Sequence, residues 1–158
     1  MGVIKWLDEN IEEFLMTVFL VAMVIIMGVQ VTMRYVFNES LVWSEELTRY
    51  FFIWSGFLSV SYCIKRKISI KIDQVFNMLP HRLQQFIQFV IKIVMLAVFL
   101  YFFRFSIEVV KATIANGQKS PAMGLPIYIV QMSTIVGFFL ASVRIFQNII
   151  LAIVHIKE

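Results

Sequence analysis

Residues 38–54 read Asn-Glu-Ser-Leu-Val-Trp-Ser-Glu-Glu-Leu-Thr-Arg-Tyr-Phe-Phe-Ile-Trp, and they separate two apolar runs. Carboxylates, an arginine and two tryptophans are concentrated in this stretch. One apolar run ends just before it at Met33, and another begins inside it at Tyr50. A polar stretch with tryptophans between two apolar runs is typical of a connection at the edge of a membrane.

The composition points to the same environment. The chain has 158 residues, of which 60% are hydrophobic and only 15% are charged. A soluble domain has roughly 45–50% apolar and about 25% charged residues, so a membrane protein is predicted rather than an unusually apolar soluble one. The net charge of +4 is modest and the basic residues are not interleaved with aromatic ones, so no nucleic-acid partner is expected. A single cysteine, Cys63, excludes an internal disulfide and a paired-cysteine redox or zinc site.

Four apolar segments predict four membrane-spanning helices, at about 12–34, 44–64, 82–106 and 126–148. Residues 14–33 carry no charge and match the roughly 20 apolar residues that a helix needs to cross a bilayer. Acidic rather than basic residues precede this run, so we expect a retained span and not a cleaved signal peptide. The uncharged run at 50–64 is short, and it reaches bilayer length only if its helix starts near Ser44.

Because helices satisfy their own backbone hydrogen bonds in lipid, we expect an all-α polytopic membrane bundle with one domain over residues 1–158. Between spans two and three, residues 68–79 predict a short amphipathic helix at the membrane interface. A short strand over residues 68–72 is the alternative, because apolar and polar residues alternate there.

The beginning of span two carries most of the polar pattern. Asn38 or Ser40 is predicted to cap its helix, since either side chain can accept from free backbone N–H groups. Glu45 and Glu46 then lie near the helix start, where the helix dipole favours negative charge. Arg49 follows four and three residues later, so both carboxylates are predicted to reach its guanidinium.

The distribution of basic residues predicts the orientation. The connection between spans two and three holds five basic residues that we assign to the cytoplasmic membrane surface: Lys65, Arg66, Lys67, Lys71 and Arg82. By the positive-inside rule this connection and both termini are cytoplasmic. Residues 38–54 and the proline-containing segment 120–126 then face outward together.

A search for catalytic chemistry gives mostly exclusions. The histidines, His81 and His155, lie at predicted helix ends rather than at the membrane depth that a haem site needs. No nucleophile–base arrangement or phosphate-binding loop is present in the sequence, so we expect no enzyme activity, catalytic residue, metal or cofactor. Arg104 and Glu108 are four residues apart and predict an ion pair at the membrane edge. The alternative is a small homo-oligomeric carrier that works alone and uses Glu108 as its coupling carboxylate.

Several motifs together resemble the small membrane subunit of tripartite ATP-independent periplasmic (TRAP) transporters. They are Arg34-Tyr35-Val36-Phe37-Asn38, Leu41-Val42-Trp43-Ser44-Glu45-Glu46, Arg49-Tyr50-Phe51 with Trp54, Ile72-Asp73 and Leu79-Pro80 after a basic run, and the turn from Pro121 to Pro126. The resemblance covers about residues 6–144. Lys92, inside span three, departs from the family pattern. Its side chain either extends to the lipid headgroups or has a functional role.

The resemblance implies a role in transport. It implies a non-catalytic scaffold beside a large M-type membrane subunit, which carries the sodium and substrate sites and moves in an elevator fashion. It implies a periplasmic protein that captures an organic acid such as a dicarboxylate or sialic acid, and a location in the bacterial inner membrane among its lipids. The residues expected at the structural or partner interface are Arg34, Asn38, Trp43, Glu45, Glu46, Arg49, Tyr50, Trp54, Pro121 and Pro126.

Overall fold

The structure, a computed structural model, describes residues 2–66 and 81–156. These residues form four helices, α1 (Gly2–Val36), α2 (Val42–Lys65), α3 (His81–Ala115) and α4 (Tyr128–Ile156). The all-helical prediction is confirmed for the described residues, and α2 starts two residues before Ser44, which gives it the length that the short apolar run lacks. The amphipathic segment predicted at 68–79 lies outside the described residues.

Three of the helices have the length and apolar composition to cross a membrane, over Asn10–Val36, Ile87–Ala115 and Tyr128–Ile150. The fourth, α2, has 24 residues and is therefore about 36 Å long. Its first two turns contain Glu45, Glu46 and Arg49, which lower its apolar content relative to the other three. Length and composition thus support three of the four predicted spans directly.

The helices pack in an open row. Helix α1 packs on α2, α2 packs on α4, and α4 packs on α3, so α1 and α3 lie at the two ends of the row. In the most apolar stretch of each helix, 6% of residues are buried in α1 and 11% in α3, against 33% in α4. The two end helices therefore keep most of their apolar surface for lipid or for another protein.

The contacts inside the row are apolar and aromatic. Buried Ile64 of α2 packs with Ala141 and Ile145 of α4. The Phe138 ring lies between three helices, with its centroid 5.6 Å from that of Phe57 in α2 and 5.6 Å from that of Phe102 in α3. The apolar core therefore follows α4, which has a packed helix on each side.

The connection between α1 and α2 is built differently from the predicted cap. The residue at the N-cap of α2 is Leu41, which makes no side-chain capping bond, so the assignment of Asn38 or Ser40 was wrong. Asn38 instead adopts a left-handed conformation with φ of 54°, which Asn tolerates better than most residues. This conformation turns the chain back after α1, and the N–H of Glu39 donates to the Met33 carbonyl at 3.1 Å.

Candidate functional site

The segment between α3 and α4 contains a compact hydrogen-bonded turn over residues 120–126. It is called here the outer turn, after the side of the membrane that the sequence predicts for it. The N–H of Ser120 donates to the Leu125 carbonyl at 2.8 Å, and the N–H of Gly124 donates back to the Ser120 carbonyl at 3.1 Å. Gly124 has a φ of 65°, which glycine adopts without steric cost. A third internal bond, from the N–H of Met123 to the Ser120 hydroxyl at 3.2 Å, and two prolines complete a turn of defined shape.

The carboxylate of Glu46 attaches the outer turn to the start of α2. Its Oε2 accepts from the backbone N–H groups of Ala122 at 3.0 Å and Met123 at 3.1 Å. Its Oε1 accepts from the hydroxyl of Tyr50, one helical turn further along α2. A carboxylate that accepts from two consecutive backbone amides makes charge-assisted hydrogen bonds, which are stronger than neutral ones. We predicted that residues 38–54 and 120–126 lie on the same side of the membrane, and these hydrogen bonds place the two segments in direct contact.

Glu45 points in the opposite direction, toward α1. Its Oε1 accepts from the side-chain amide of Gln30 at 3.0 Å, and Gln30 is buried between the two helices. The sequence predicted instead that Glu45 and Glu46 both pair with Arg49. Within the described part of the chain Arg49 makes no ion pair, because each carboxylate is engaged by a different neighbouring element.

The other predicted interface residues are spread around the start of α2 and the outer turn. Arg49, Tyr50 and Pro121 line one cavity of about 420 Å³ between α2 and the outer turn, together with both carboxylates of that region. The structure does not place the remaining predicted residues in that cavity: Arg34, Asn38 and Trp43 are exposed, and Trp54 and Pro126 are partly buried.

A second carboxylate contact, which we did not predict, lies near the other end of α2, away from Glu46. Glu12 of α1 has only 1% of its surface exposed. Its Oε1 accepts from the hydroxyl of Ser61 in α2 at 2.8 Å and from Nε of Arg144 in α4 at 3.0 Å. Its Oε2 lies 3.8 Å from Nζ of Lys65. One buried carboxylate therefore connects three of the four helices.

The arginine of this group is also buried. Arg144 is 7% exposed, and its Nη1 donates to Oε1 of Gln147 at 3.0 Å. One turn further on, Asn148 donates to the Ile64 carbonyl at 3.2 Å, close to the end of α2. A buried ion pair is retained at low cost only when such hydrogen bonds satisfy both partners, and most of those bonds are present here.

Two of the residues assigned to the basic membrane surface pair with acidic residues of α1. Lys65 faces Glu12, and Nη2 of Arg66 lies 3.1 Å from Oε2 of Glu13 in an exposed ion pair. That hydrogen bond raises the pKa of Arg66 above its ordinary value. Lys67 and Lys71 lie outside the described residues, and Arg82 is the second residue of α3.

The predicted pair on α3 is confirmed. Nη1 of Arg104 lies 3.2 Å from Oε1 of Glu108, and both side chains are more than half exposed. The two residues lie one helical turn apart on the same helix. Exposed pairs of this kind contribute little to stability, about 0.3–0.5 kcal/mol, so this one does not hold helices together.

Together these contacts define the class of the protein. It is a helical membrane protein that passes the bilayer several times. Polar contacts join its segments at two positions along α2, one at Glu46 near the start of the helix and the other at Glu12 of α1 near its end. In the described ranges 2–66 and 81–156 no three His, Cys, Asp or Glu side chains are grouped so that they could hold a metal ion.

The chain belongs to the DctQ component family of the tripartite ATP-independent periplasmic transporters, whose family model matches residues 23–155. This confirms the resemblance drawn from the motifs around residues 34–54. The match extends over all four helices, so the family assignment does not depend on one motif.

Three relatives illustrate the match. The chain is 32% identical over 154 residues to the isethionate TRAP transporter permease protein DctMQ of Oleidesulfovibrio alaskensis, covering 94% of this chain and 24% of that protein. It is 36% identical over 77 residues to the C4-dicarboxylate TRAP transporter small permease protein DctQ of Vibrio cholerae, covering 49% of this chain and 33% of that protein. It is 31% identical over 94 residues to the sialic acid TRAP transporter permease protein SiaT of Haemophilus influenzae, covering 59% and 15%. The matches span a third or less of the length of each of these relatives.

Proposed function

We propose that the chain is the non-catalytic scaffold subunit of a sodium-coupled TRAP importer of an organic acid. In this role it widens the stationary part of the transporter beside a large M-type elevator subunit and helps to dock a periplasmic binding protein. The observation that carries the proposal is the buried contact of Glu12 with Ser61 and Arg144, which joins α1, α2 and α4. A stationary support needs helices that keep their relative positions, and this contact provides a fixed connection.

The exposed apolar faces support the same proposal. Helix α1 packs on one neighbour, and among its exposed residues are Phe14, Val21 and Ile25. Helix α3 likewise exposes Tyr101 and Phe105 on a face away from its single packed neighbour. An open row with free faces at both ends suits a protein that covers another membrane protein. The name DctMQ of the first relative is consistent with a DctQ part joined to an M-type part.

The proposed membrane arrangement has four spans, with α2 as the fourth. Its charged first turns lie at the outer edge, where Glu46 holds the outer turn and Glu45 binds α1. The segment 68–79 is proposed to lie on the cytoplasmic surface of the inner membrane, with both chain termini on the same side. An organic acid is proposed as substrate because the three relatives are named for isethionate, a C4-dicarboxylate and sialic acid, all organic anions.

The alternative of a self-sufficient carrier that uses Glu108 is less well supported. A coupling carboxylate is normally shielded inside the protein, where protonation or ion binding can change its contacts. Glu108 is exposed and paired with Arg104 on the same helix. Its environment is that of a surface ion pair.

Purification from the native membrane in a mild detergent, followed by intact-complex mass spectrometry, tests the proposal. We expect the chain to be recovered with a larger membrane protein in a fixed stoichiometry. Recovery of the chain only as a homo-oligomer, under conditions that preserve other membrane complexes, would contradict the scaffold role.

A further inference from the structure

An exposed ion pair lies within the apolar length of α3. Arg104 and Glu108 belong to the candidate span Ile87–Ala115, and their side chains are 68% and 54% exposed. Ser106, between them in sequence, is buried one turn after Phe102, on the face of α3 that packs against α4. Residues two positions away from Ser106 lie about 200° around the helix from it. The pair therefore points away from α4.

Aromatic contacts set the level of the pair along the row of helices. The Phe138 ring of α4 lies 5.6 Å from the Phe57 ring of α2 and 5.6 Å from the Phe102 ring of α3, centroid to centroid. These three residues therefore share one level. Arg104 and Glu108 follow Phe102 by two and six residues, which places them about 3 Å and about 9 Å from this level, toward the outer turn.

This level lies near the middle of the proposed span of α2. Phe57 lies eight residues before Lys65 and eleven after Glu46, about 12 Å and about 16 Å along the helix. The helix length between these two charges is about 28 Å, close to the thickness of bilayer hydrocarbon at about 30 Å. Arg104 lies about 15 Å from the level of Lys65 and about 13 Å from that of Glu46. In the proposed membrane arrangement the pair is thus well inside the apolar layer.

The two ends of the row differ in what they can face. Charged side chains inside a membrane almost always face protein or a water-filled cavity rather than lipid. The open face of α1 needs no such cover, because residues 14–33 carry no charge and Phe14, Val21 and Ile25 are exposed there. The open face of α3, with its ion pair, is therefore the end that requires a protein neighbour.

The ion pair leaves hydrogen-bond donors for that neighbour. A guanidinium carries several N–H donors, and the described part of the chain gives Arg104 one acceptor, Oε1 of Glu108. Lys111 is exposed on the same face and makes this group of three side chains net positive. It lies one turn before the end of α3 at Ala115, where a lysine can extend toward the headgroups. The neighbour suited to this face has an acceptor side chain at the level of Arg104.

We propose that the α3 face formed by Tyr101, Arg104, Phe105 and Glu108 is the surface on which the large membrane subunit packs. A membrane-spanning helix of that subunit places a hydrogen-bond acceptor side chain against Arg104, and α1 faces lipid at the other end of the row. Tyr101 and Phe105 lie beside the pair, 59% and 47% exposed with ring centroids 4.6 Å apart, and provide an aromatic contact surface. This inference rests on the proposed function, which supplies the partner.

Site-specific photocrosslinking tests the proposal in membranes of cells that make the full-length chain with its natural partners. The photoreactive amino acid p-benzoylphenylalanine replaces Phe105 in one variant and Val21 of α1 in the other. Val21 is 52% exposed and lies two residues after Phe19, which packs on α2, so it marks the open face of α1. We expect Phe105 to give an adduct with the same larger membrane protein that co-purifies with the unmodified chain, identified by mass spectrometry. We expect no protein adduct from Val21.

The outcomes separate this proposal from the scaffold role. Absence of an adduct from Phe105, in membranes where the larger protein still co-purifies, would overturn the assignment of α3 and leave the scaffold role intact. An adduct at Phe105 between two copies of the chain would overturn it too, because the occupant would be a second copy. Adducts with the larger protein from both positions would contradict the assignment of α1 to lipid. Absence of any larger co-purifying protein would contradict both proposals.

A double substitution tests the expected acceptor. Arg104→Leu combined with Glu108→Leu removes both charges without leaving either one unpaired, so the chain is expected to fold. Recovery of the larger protein with this variant is expected to fall about tenfold, because its acceptor loses its donor in apolar surroundings. Lys111→Gln, a charge change at the end of the same helix, is the matched control and is expected to keep full recovery. Full recovery with the double variant would show that Arg104 donates to no side chain of the partner.

Discussion

Nε of Arg144 in α4 donates to Oε1 of Glu12 in α1 at 3.0 Å, although 132 residues separate them in sequence. Both side chains are buried, and Ser61 of α2 donates to the same oxygen. Glu12 lies ten residues after the start of α1, and Arg144 lies twelve residues before the end of α4. Their contact fixes the relative positions of the first, second and fourth helices near the end of α2, while Glu46 joins the start of α2 to the outer turn between α3 and α4.

Loss of the Glu12 charge is expected to destabilise the fold. Glu12→Gln keeps the size of the side chain but leaves the buried guanidinium of Arg144 without its anion, and breaking a buried pair costs about 3–5 kcal/mol. The neighbouring Glu13→Gln is a matched control, because its pair with Arg66 is exposed and exposed pairs contribute little to stability. The apparent melting temperature of the purified protein is the measurement. Similar shifts for the two variants would contradict a special role for Glu12.

The close approach of α2 and α4 at Gly137 predicts a second effect. A Cβ added there would lie 2.7 Å from Cβ and 2.9 Å from the backbone oxygen of Phe57. Since backbone cannot move aside easily, Gly137→Ala is expected to cost about 1–3 kcal/mol.

Gly56→Ala provides the comparison for that variant. No atom lies within 4 Å of its added Cβ, so it is expected to be neutral or slightly stabilising, by up to about 1 kcal/mol. Thermal unfolding of the two variants distinguishes these effects. A Gly137→Ala protein as stable as Gly56→Ala would show that the helices are not closely packed there.

The contact between Glu46 and the outer turn predicts a local change in dynamics. In Glu46→Gln the amides of Ala122 and Met123 lose a charged acceptor and are expected to exchange hydrogen about tenfold faster, because hydrogen bonds to a charged acceptor are stronger than those to a neutral one. Glu45→Gln is the control, because Glu45 binds Gln30 and not the turn. Exchange in residues 120–126, measured by mass spectrometry, is expected to rise only in the first variant. Unchanged exchange in both would mean that the carboxylate does not hold the turn.

The proposed orientation can be checked by labelling. A cysteine in place of Gln118, in a Cys63→Ser background, is expected to react with an impermeant thiol reagent added from outside, because Gln118 is exposed beside the outer turn. A cysteine in place of Arg66 is expected to react only after the membrane is permeabilised. Reaction of position 66 from outside would reverse the topology.

The sequence predicted the helices well because each depends on local patterns. Long apolar runs predicted α1, α3 and α4, and the need for bilayer length predicted a start near Ser44 for α2. Helix α3 ends at Ala115, just before Asn116 and Gly117, and Gly117 has a φ of 60°. These features depend on the length, polarity and backbone freedom of each segment, so they can be predicted from the sequence of that segment alone.

The contacts between segments were predicted less well. The expected pairing of Glu45 and Glu46 with Arg49 was inferred from helical spacing alone. In the structure each carboxylate binds a residue more distant in sequence: Glu45 binds Gln30, and Glu46 binds the outer turn. Glu12 and Arg144 were not selected at all. One signal could have found them, because four spans place the start of the first and the end of the fourth on the same side, where opposite charges can meet.

The most direct test of the scaffold role is substrate uptake into sodium-gradient liposomes that contain defined subunits. With the large membrane subunit and the periplasmic binding protein, the complete chain is expected to support uptake that depends on sodium. The same chain reconstituted alone, at equal amounts and with the binding protein present, is expected to give no uptake above empty liposomes. Sodium-dependent uptake by the chain alone would contradict the account.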